Sequence, residues 1–299
     1  MPLTAPSAAG IEIWFTTDGD PSAEPLLLIM GLGTQHIGWD EDLVALFVEQ
    51  GFFVVRFDNR DVGLSSKPVT EEIDVIARIL AVASGQAVES PYLLTDMADD
   101  AVAVLDHLGL ASAHVVGASM GGMIAQTLAI EHPERVRTLT SVMSTTGAPE
   151  VGQPDPSILP VLLGPAPTNR DEAVARGVAV SQAIGSPGLV DEAAVADKAG
   201  RAWDRCAYPQ GMGHQLVAIA ASGDRTAALG ALTVPTLVVH GDADPLVTPT
   251  GGHATAAAIP GAELRIVEGM GHDVPRAHWP SLVEAVTALT ARAGAPAAR

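Results

Sequence analysis

The chain has 299 residues, enough for one large α/β domain or for a core domain with an inserted lobe. Its net charge of −19 disfavours nucleic acids and anionic membranes as partners, because both are polyanions. The single cysteine, Cys206, excludes a disulfide within the chain and a multi-cysteine metal site. No apolar run approaches the roughly 18 residues needed to span a bilayer, and residues 1–10 lack the pattern of a signal peptide. We therefore expect a soluble, cytoplasmic protein.

Apolar runs and amphipathic stretches alternate along the first half of the chain. The predicted strands are residues 11–15, 26–30, 52–57, 114–116 and 136–143. The predicted helices are residues 39–50, 71–82, 95–108 and 122–131, with Asp40 and Thr95 as the expected N-caps of the first and third. Continuous apolar strands that alternate with helices indicate a mostly parallel sheet that is buried on both faces.

The composition changes after residue 146. Proline and glycine cluster in residues 147–167, and helical stretches follow at 171–184, 191–206 and 215–229 with no strand-like run between them. Strands resume at 235–239 and 263–267, with helices at 250–258 and 278–293. We therefore predict an α/β fold with a mostly parallel central sheet flanked by helices. Its core domain comprises residues 1–146 and 231–299, and residues 147–230 form an inserted helical cap, or lid.

The pattern G-x-S-x-G occurs at residues 117–121, with Ser119 at its centre, between a predicted strand and a predicted helix. A serine aimed out of so sharp a turn needs glycines around it, because side chains there would collide where strand and helix approach. The chain has 30 glycines, so the motif alone could arise by chance. Its position between strand and helix favours a nucleophile elbow.

Two further candidate groups follow later strands, and the carboxyl ends of parallel strands meet at one edge of a sheet. His272 follows the last strand and is the expected general base for Ser119. Asp244 follows the strand before it and is the expected partner that orients the imidazole. Asp242 is the alternative, although it more plausibly braces its own turn. The chain order Ser, Asp, His differs from that of the two main serine protease types.

Ester hydrolysis also needs hydrogen-bond donors for the oxyanion that develops on the carbonyl oxygen. We expect the backbone N–H groups of Met120, next after the nucleophile, and of Leu32, in the loop after strand 26–30. Gly31 and Gly33 flank Leu32 but do not form a phosphate-binding loop, since the dinucleotide fingerprint and the P-loop lysine are absent. Among the other histidines, His36 and His214 could line the pocket or serve the structure.

The motifs together resemble those of the α/β-hydrolase superfamily over nearly the whole chain. They are Gly117-Ala118-Ser119-Met120-Gly121-Gly122, Asp58-x-Arg60-x-x-Gly63-x-Ser65, Gly241-Asp242-x-Asp244-Pro245 and Gly269-x-Gly271-His272. Residues 30–33, 58–63 and 221–225 resemble a bacterial serine carboxylesterase/lipase group that includes the aclacinomycin methylesterase type. Many relatives carry histidine before the first loop glycine, where this chain has Met30. A backbone amide is the donor there, so the change need not damage the oxyanion hole.

The resemblance implies a serine carboxylesterase that works through an acyl-enzyme on an apolar small-molecule ester, without a cofactor or metal. The same triad also serves perhydrolases, lactonases and C–C hydrolases, and these remain alternatives. Dehalogenases and epoxide hydrolases of this fold use an aspartate nucleophile, which Ser119 argues against. A non-catalytic small-molecule binding module is the alternative of another class.

The cap is expected to set specificity, with Trp203, Tyr208 and Met212 as candidates to line the pocket. The sequence does not indicate an oligomeric state.

Overall fold

The computed structural model describes residues 4–6, 10–69, 71, 73–162 and 164–294. Strands in these residues form one sheet with the order β1-β2-β4-β3-β5-β6-β7-β8. Their bounds are β1 Thr4–Pro6, β2 Glu12–Asp18, β3 Glu24–Ile29, β4 Phe52–Phe57, β5 Ala113–Ala118, β6 Val136–Val142, β7 Thr236–Gly241 and β8 Glu263–Val267.

The sheet is parallel from β4 to β8, and only the pairings of β2 with β1 and with β4 are antiparallel. Leu27 of β3 pairs with Val55 on one side and Val115 on the other, which places β3 in the interior of the sheet. The predicted mostly parallel sheet is therefore confirmed. The sequence did not predict β1, because three residues that end in Pro6 are too short to show a strand pattern.

Helices cover both faces of the sheet. Their bounds are α1 Glu41–Glu49, α2 Val75–Ala83, α3 Leu94–His107, α4 Met120–Glu131, α5 Leu159–Leu162, α6 Arg170–Ile184, α7 Glu192–Arg205, α8 Gln210–Ser222, α9 Thr226–Leu229, α10 Thr250–Ala258 and α11 Trp279–Gly294. Leu26 and Leu28 of β3 pack with α1 and α11, whereas Leu27 and Ile29 pack with α3 and α4. Alternate side chains of one strand thus reach opposite cores, as the continuous apolar run predicted.

The chain between β6 and β7 holds α5 to α9 and no strand among its described residues. We call residues 147–230 the helical segment. Within it α6 packs along α7, and α8 packs against α2 of the preceding part of the chain. No helix in the described ranges is both long enough and apolar enough to cross a bilayer.

Three local predictions differ from the structure. Thr95 is not the cap of α3, which begins after Leu93; the Asp96 carboxylate accepts a hydrogen bond from the Leu93 N–H at 2.7 Å. The helix predicted at 215–229 begins at residue 210 and breaks at Gly223, whose φ of +65° only glycine adopts without strain. The helix predicted from residue 71 begins at residue 75. Asp40 is confirmed as the cap of α1, since its carboxylate accepts from the Asp42 N–H at 3.1 Å.

Candidate active site

Ser119 lies on the turn between β5 and α4, with φ 56° and ψ −121°. A non-glycine residue in this region is strained, and such strain persists only where the surroundings hold it. The flanking glycines explain how the turn fits. A Cβ on Gly117 would lie 2.1 Å from the carbonyl oxygen of Gly121, and a Cβ on Gly121 would lie 2.1 Å from that of Ile29. The turn can therefore close only with glycine at 117 and pack against β3 only with glycine at 121.

His272 bridges the other two predicted residues. Its Nε2 atom lies 2.9 Å from Ser119 Oγ, and its Nδ1 atom lies 2.7 Å from Asp244 Oδ2. The side chain of His272 is only 6% exposed and that of Asp244 is fully buried. With Nδ1–H donating to the carboxylate, Nε2 is left as the acceptor that faces the serine hydroxyl. The structure thus brings Ser119, Asp244 and His272 into one hydrogen-bonded chain.

Asp244 is held as an ionised carboxylate. Its Oδ1 atom accepts hydrogen bonds from the backbone N–H groups of Leu246 and Val247, each at 2.9 Å. Burial alone would raise the pKa of Asp244, but hydrogen bonds from His240 and His272, the charge of His272 and the Val247 N–H lower it to about 2. A charged acceptor at this position fixes the orientation of the imidazole and stabilises its protonated form.

Asp242, the alternative partner, points elsewhere. Its Oδ1 atom accepts a hydrogen bond from the backbone N–H of Gly269 at 2.7 Å, at the start of the loop that carries His272. Asp242 therefore stabilises a neighbouring loop through this hydrogen bond, whereas the sequence predicted a contact within its own turn.

The loop after β3 lies directly beside Ser119. A Cβ on Gly31 would lie 3.1 Å from the Ser119 Cβ and 3.2 Å from the carbonyl oxygen of Ala118. The backbone N–H groups of Leu32 and Met120 have no hydrogen-bond acceptor among the described residues. Both predicted donors are thus available to a ligand atom.

His36 and His214 have buried carboxylate partners. The Nδ1 atom of His36 lies 3.0 Å from Asp58 Oδ1, and that of His214 lies 3.1 Å from Asp61 Oδ2. These pairs assign both histidines to the packing of the loop after β4. Met212, by contrast, packs against the loop after β3. Its side chain would lie 3.2 Å from a Cβ placed on Gly33.

A family model for the alpha/beta hydrolase fold matches residues 24–275. The chain belongs to this family. The predicted membership of the superfamily is therefore confirmed.

Curated relatives match this α/β-hydrolase over nearly its whole length. The rhodomycin D methylesterase DnrP of Streptomyces peucetius is 31% identical, over 97% of this chain and 98% of the relative. The rhodomycin D methylesterase DauP of Streptomyces sp. strain C5 is 30% identical, over 97% of this chain and 98% of the relative. The narrower resemblance to a methylesterase-containing group is confirmed by these matches.

Solved structures share the fold. The enol-lactonase from Burkholderia xenovorans LB400 has a TM-score of 0.75 at 23% identity, covering 97% of this chain and all (100%) of that chain. The esterase RhEst1 from Rhodococcus sp. ECU1013 has a TM-score of 0.76 at 19% identity, covering 98% of this chain and 99% of that chain. At such identities the comparison shows the fold alone.

Sequence reasoning missed three residues around the α/β-hydrolase site. They are His240, Ser186 and Gln215. The Nε2 atom of His240 lies 2.7 Å from the carbonyl oxygen of Val247 and 3.5 Å from Asp244 Oδ2. Ser186 and Gln215, in the helical segment, hydrogen-bond to the loops that carry His272 and Leu32. No sequence pattern marks Ser186 or Gln215, because their contacts join distant parts of the chain, whereas His240 contacts residues of the loop that follows its own strand. Within the described residues, no group of three or more His, Cys, Asp or Glu side chains could hold a metal ion.

Proposed function

We propose that this α/β-hydrolase cleaves carboxylic esters through an acyl-enzyme on Ser119. The observation that carries the proposal is the bridge made by His272, 2.9 Å from Ser119 Oγ and 2.7 Å from Asp244 Oδ2. A serine hydroxyl is a weak nucleophile, and a base at this distance can take its proton as it attacks. The similarity to two methylesterases over nearly the whole chain supports an ester as the substrate.

The reaction would proceed in two halves. Ser119 Oγ attacks the ester carbonyl carbon while its proton passes to His272 Nε2, and the imidazolium then gives that proton to the departing alcohol oxygen. Water next attacks the acyl-enzyme with His272 again as base, which releases the carboxylic acid and restores the serine. Asp244 stays ionised throughout and stabilises each imidazolium. Its lowered pKa, about 2, is suited to this role.

The N–H groups of Leu32 and Met120 would stabilise the oxyanion in both halves. One such donor contributes about 3–4 kcal/mol to stabilising a transition state of this kind. Gly31 supports the assignment, since a Cβ there would lie 3.1 Å from the Ser119 Cβ, closer than an ordinary contact, and glycine keeps this side of the serine free of a side chain.

For the substrate, we propose a methyl ester of a bulky, apolar carboxylic acid. The two relatives named above are rhodomycin D methylesterases, and Met212 brings an apolar side chain to the loop beside Ser119. The helical segment would act as the lid that shapes this pocket.

We also propose that the protein functions in a reducing compartment such as the cytoplasm. Its single cysteine, Cys206, cannot form a disulfide within the chain, so the fold does not depend on an oxidising environment.

A fluorophosphonate tests the machinery before any natural substrate is known, since the reagent needs an activated serine and an oxyanion hole. Intact mass spectrometry should show one adduct on the wild type and none on Ser119→Ala, with circular dichroism confirming that both are folded. Ser144→Ala is a matched control, because this buried serine lies beside the turn and its hydroxyl donates to the carbonyl oxygen of Ser119 at 2.9 Å rather than to His272. No adduct on folded wild type would contradict the proposal and favour a binding module.

An ester panel tests the substrate class. Methyl, ethyl and butyl esters of one aromatic acid isolate the alcohol side, and methyl esters of acetic, hexanoic and naphthoic acids isolate the acyl side. We expect kcat/KM to be highest for methyl esters of the bulky acids. Higher kcat/KM for long alkyl esters or for the smallest acids would contradict the methylesterase proposal while leaving the serine mechanism intact.

A further inference from the structure

The helical segment contacts two loops of the site. One carries the imidazole of His272, and the other carries the backbone N–H of Leu32. The histidine loop, residues 269–273, follows β8. The oxyanion loop, residues 31–34, follows β3. Each loop meets one fully buried polar side chain of the helical segment, Ser186 just after α6 and Gln215 in α8.

Ser186 and its neighbours hold the histidine loop. The Ser186 Oγ atom accepts a hydrogen bond from the Gly271 N–H at 2.9 Å and donates to Asp273 Oδ1 at 2.5 Å. The Ser186 N–H donates to the same carboxylate oxygen at 2.9 Å, and the His272 N–H donates to the carbonyl oxygen of Ile184 at 2.7 Å. Three successive residues of the loop, 271 to 273, are thus bonded to the end of α6.

The backbones approach closely at this point. A Cβ on Gly271 would lie 2.4 Å from the carbonyl carbon of Gly185 and 2.7 Å from the carbonyl oxygen of Ile184. The histidine loop therefore cannot shift toward α6. Its hydrogen bonds to Ser186 and Ile184 oppose a shift in the other direction.

Gln215 holds the oxyanion loop in the same way. Its Oε1 atom accepts a hydrogen bond from the Gly33 N–H at 2.8 Å, and its Nε2 atom donates to the carbonyl oxygen of Arg60 at 2.8 Å. Gly33 has φ +63° and directly follows Leu32, whose N–H is the proposed oxyanion donor. One amide side chain thereby ties the oxyanion loop to the loop after β4.

We infer that Ser186 and Gln215 are positioning residues through which the helical segment completes the active site. Ser186 fixes the backbone of His272 so that the imidazole reaches Ser119 and Asp244 together. Gln215 fixes the loop that supplies the Leu32 N–H. The inference rests on the proposed function and deepens it: the helical segment covers the site and also sets the geometry of its base and its oxyanion donor.

Ser186→Ala tests the first half, with Ser222→Ala as a matched control. Ser222 is also in the helical segment; its Oγ atom accepts from the Leu94 N–H at 2.9 Å and donates to the carbonyl oxygen of Ala218 at 2.7 Å, away from both loops. For Ser186→Ala, kcat and the second-order rate of fluorophosphonate labelling should fall on the order of 10- to 100-fold. KM should change by about twofold or less, because the ester contacts remain.

A spectroscopic readout separates positioning from general stability. The proton between His272 Nδ1 and Asp244 should give a low-field ¹H resonance in the wild type and in Ser222→Ala, and a shifted or broadened one in Ser186→Ala. Equal labelling rates and unchanged resonances in both variants would overturn the role of Ser186. A wild type that does not label at all would instead overturn the proposed function. If Ser186→Ala does not fold, Asp273→Ala removes the carboxylate that accepts both hydrogen bonds from Ser186 and so opens the same clamp from the other side.

Gln215→Ala tests the second half through the oxyanion hole. A trifluoromethyl ketone forms a hemiketal with the nucleophilic serine, and its oxyanion occupies the hole. In Gln215→Ala the inhibition constant of this ketone should increase relative to the wild type. The increase should exceed that of KM for the matching ester on the order of 10-fold. Gln182→Ala in α6 is the control, since its amide donates to Glu192 within the helical segment at 2.6 Å. An unchanged ratio in Gln215→Ala, or in Gln215→Met if alanine prevents folding, would overturn this role.

Discussion

The Asp242 carboxylate accepts a hydrogen bond from the backbone N–H of Gly269 at 2.7 Å, so one aspartate of the loop after β7 holds the start of the histidine loop. Two residues later, Asp244 accepts a hydrogen bond from the His272 side chain itself. Both aspartates therefore serve the same loop, one through its backbone and one through the imidazole. The donor is a backbone N–H for Asp242 and an imidazole N–H for Asp244, so the two aspartates differ in their sensitivity to substitution.

Replacing Asp244 by asparagine should lower kcat on the order of 10³-fold or more. The amide cannot stabilise an imidazolium, and its NH₂ group favours the wrong tautomer of His272. Asp242→Asn should retain kcat within about threefold, because its amide oxygen can still accept from the Gly269 N–H. Steady-state hydrolysis of one methyl ester measures both. A loss in Asp242→Asn equal to that in Asp244→Asn would contradict the assignment of the two roles.

The sequence predicted those features of the site that local chemistry dictates. The turn around Ser119 requires glycine at 117, where a Cβ would meet Gly121 within the turn, and at 121, where a Cβ would meet β3, so the motif is visible in the sequence. Likewise, the carboxyl ends of β5, β7 and β8 lie along one edge of a parallel sheet, so the meeting of Ser119, Asp244 and His272 follows from topology.

The contacts from the helical segment could not be predicted in this way. Ser186 and Gln215 are 85 and 182 residues from their partners Gly271 and Gly33, and a single serine or glutamine near a helix carries no signal of a distant acceptor. The start of α8 was misplaced for a related reason. Residues 210–214 include two glycines, and tertiary packing of Gly211 against Asp61 and of Gly213 against Val75 overrides their low helix propensity.

Gly121→Ala should destabilise the fold by roughly 3 kcal/mol or more, since the new methyl group meets backbone that cannot move aside cheaply. Its Cβ would lie 2.1 Å from the carbonyl oxygen of Ile29 in the interior of the sheet. Gly261→Ala is the control: φ is +74° but no atom lies within 4 Å of the added Cβ, so the cost should be about 1 kcal/mol. Urea denaturation measures both. Equal costs would show that the turn can relax around the elbow.

Arg205→Met should destabilise the protein by about 2–3 kcal/mol, because it removes the cationic partner of a buried carboxylate. Arg205 Nη1 lies 2.6 Å from Asp58 Oδ2, and Asp58 is fully buried. Burial would raise the pKa of Asp58, but hydrogen bonds from His36 and the charge of Arg205 hold it below its usual value. Arg201→Met is the control in the same helix: Arg201 forms exposed ion pairs with Asp197 at 3.0 Å and with Glu41 at 3.6 Å, and its loss should change stability by about 0.5 kcal/mol or less.

A double-mutant cycle checks the origin of the Arg205 effect. In an Asp58→Asn background the charge to be compensated is gone, so Arg205→Met should cost less there than in the wild type. Equal costs in both backgrounds would assign the effect to the other contacts of Arg205: its stacking on Trp14, whose ring centroid lies 4.3 Å from the guanidinium carbon, and its hydrogen bond to Gln35 Oε1 at 2.7 Å.

His114 should make the stability of the protein fall between pH 7 and pH 5. Burial, with a contribution from the charge of Arg137, lowers the pKa of His114 to about 4, whereas an unfolded histidine titrates near pH 6.5. As the pH drops below that value, the unfolded chain binds a proton that the folded chain does not, so the free energy of unfolding decreases. Allowing for screening by solvent, the loss should be on the order of 1 kcal/mol by pH 5.

His114→Gln isolates this contribution, because every other titratable group is present in both proteins. An amide can replace the hydrogen bond between His114 Nδ1 and Thr138 Oγ1, which is 2.9 Å long. Urea denaturation at pH 7, 6 and 5 should show the free energy of unfolding of the wild type falling relative to that of the variant at each step. Parallel curves would mean that His114 binds its proton equally well in the folded and unfolded chains, and the lowered pKa would then be wrong.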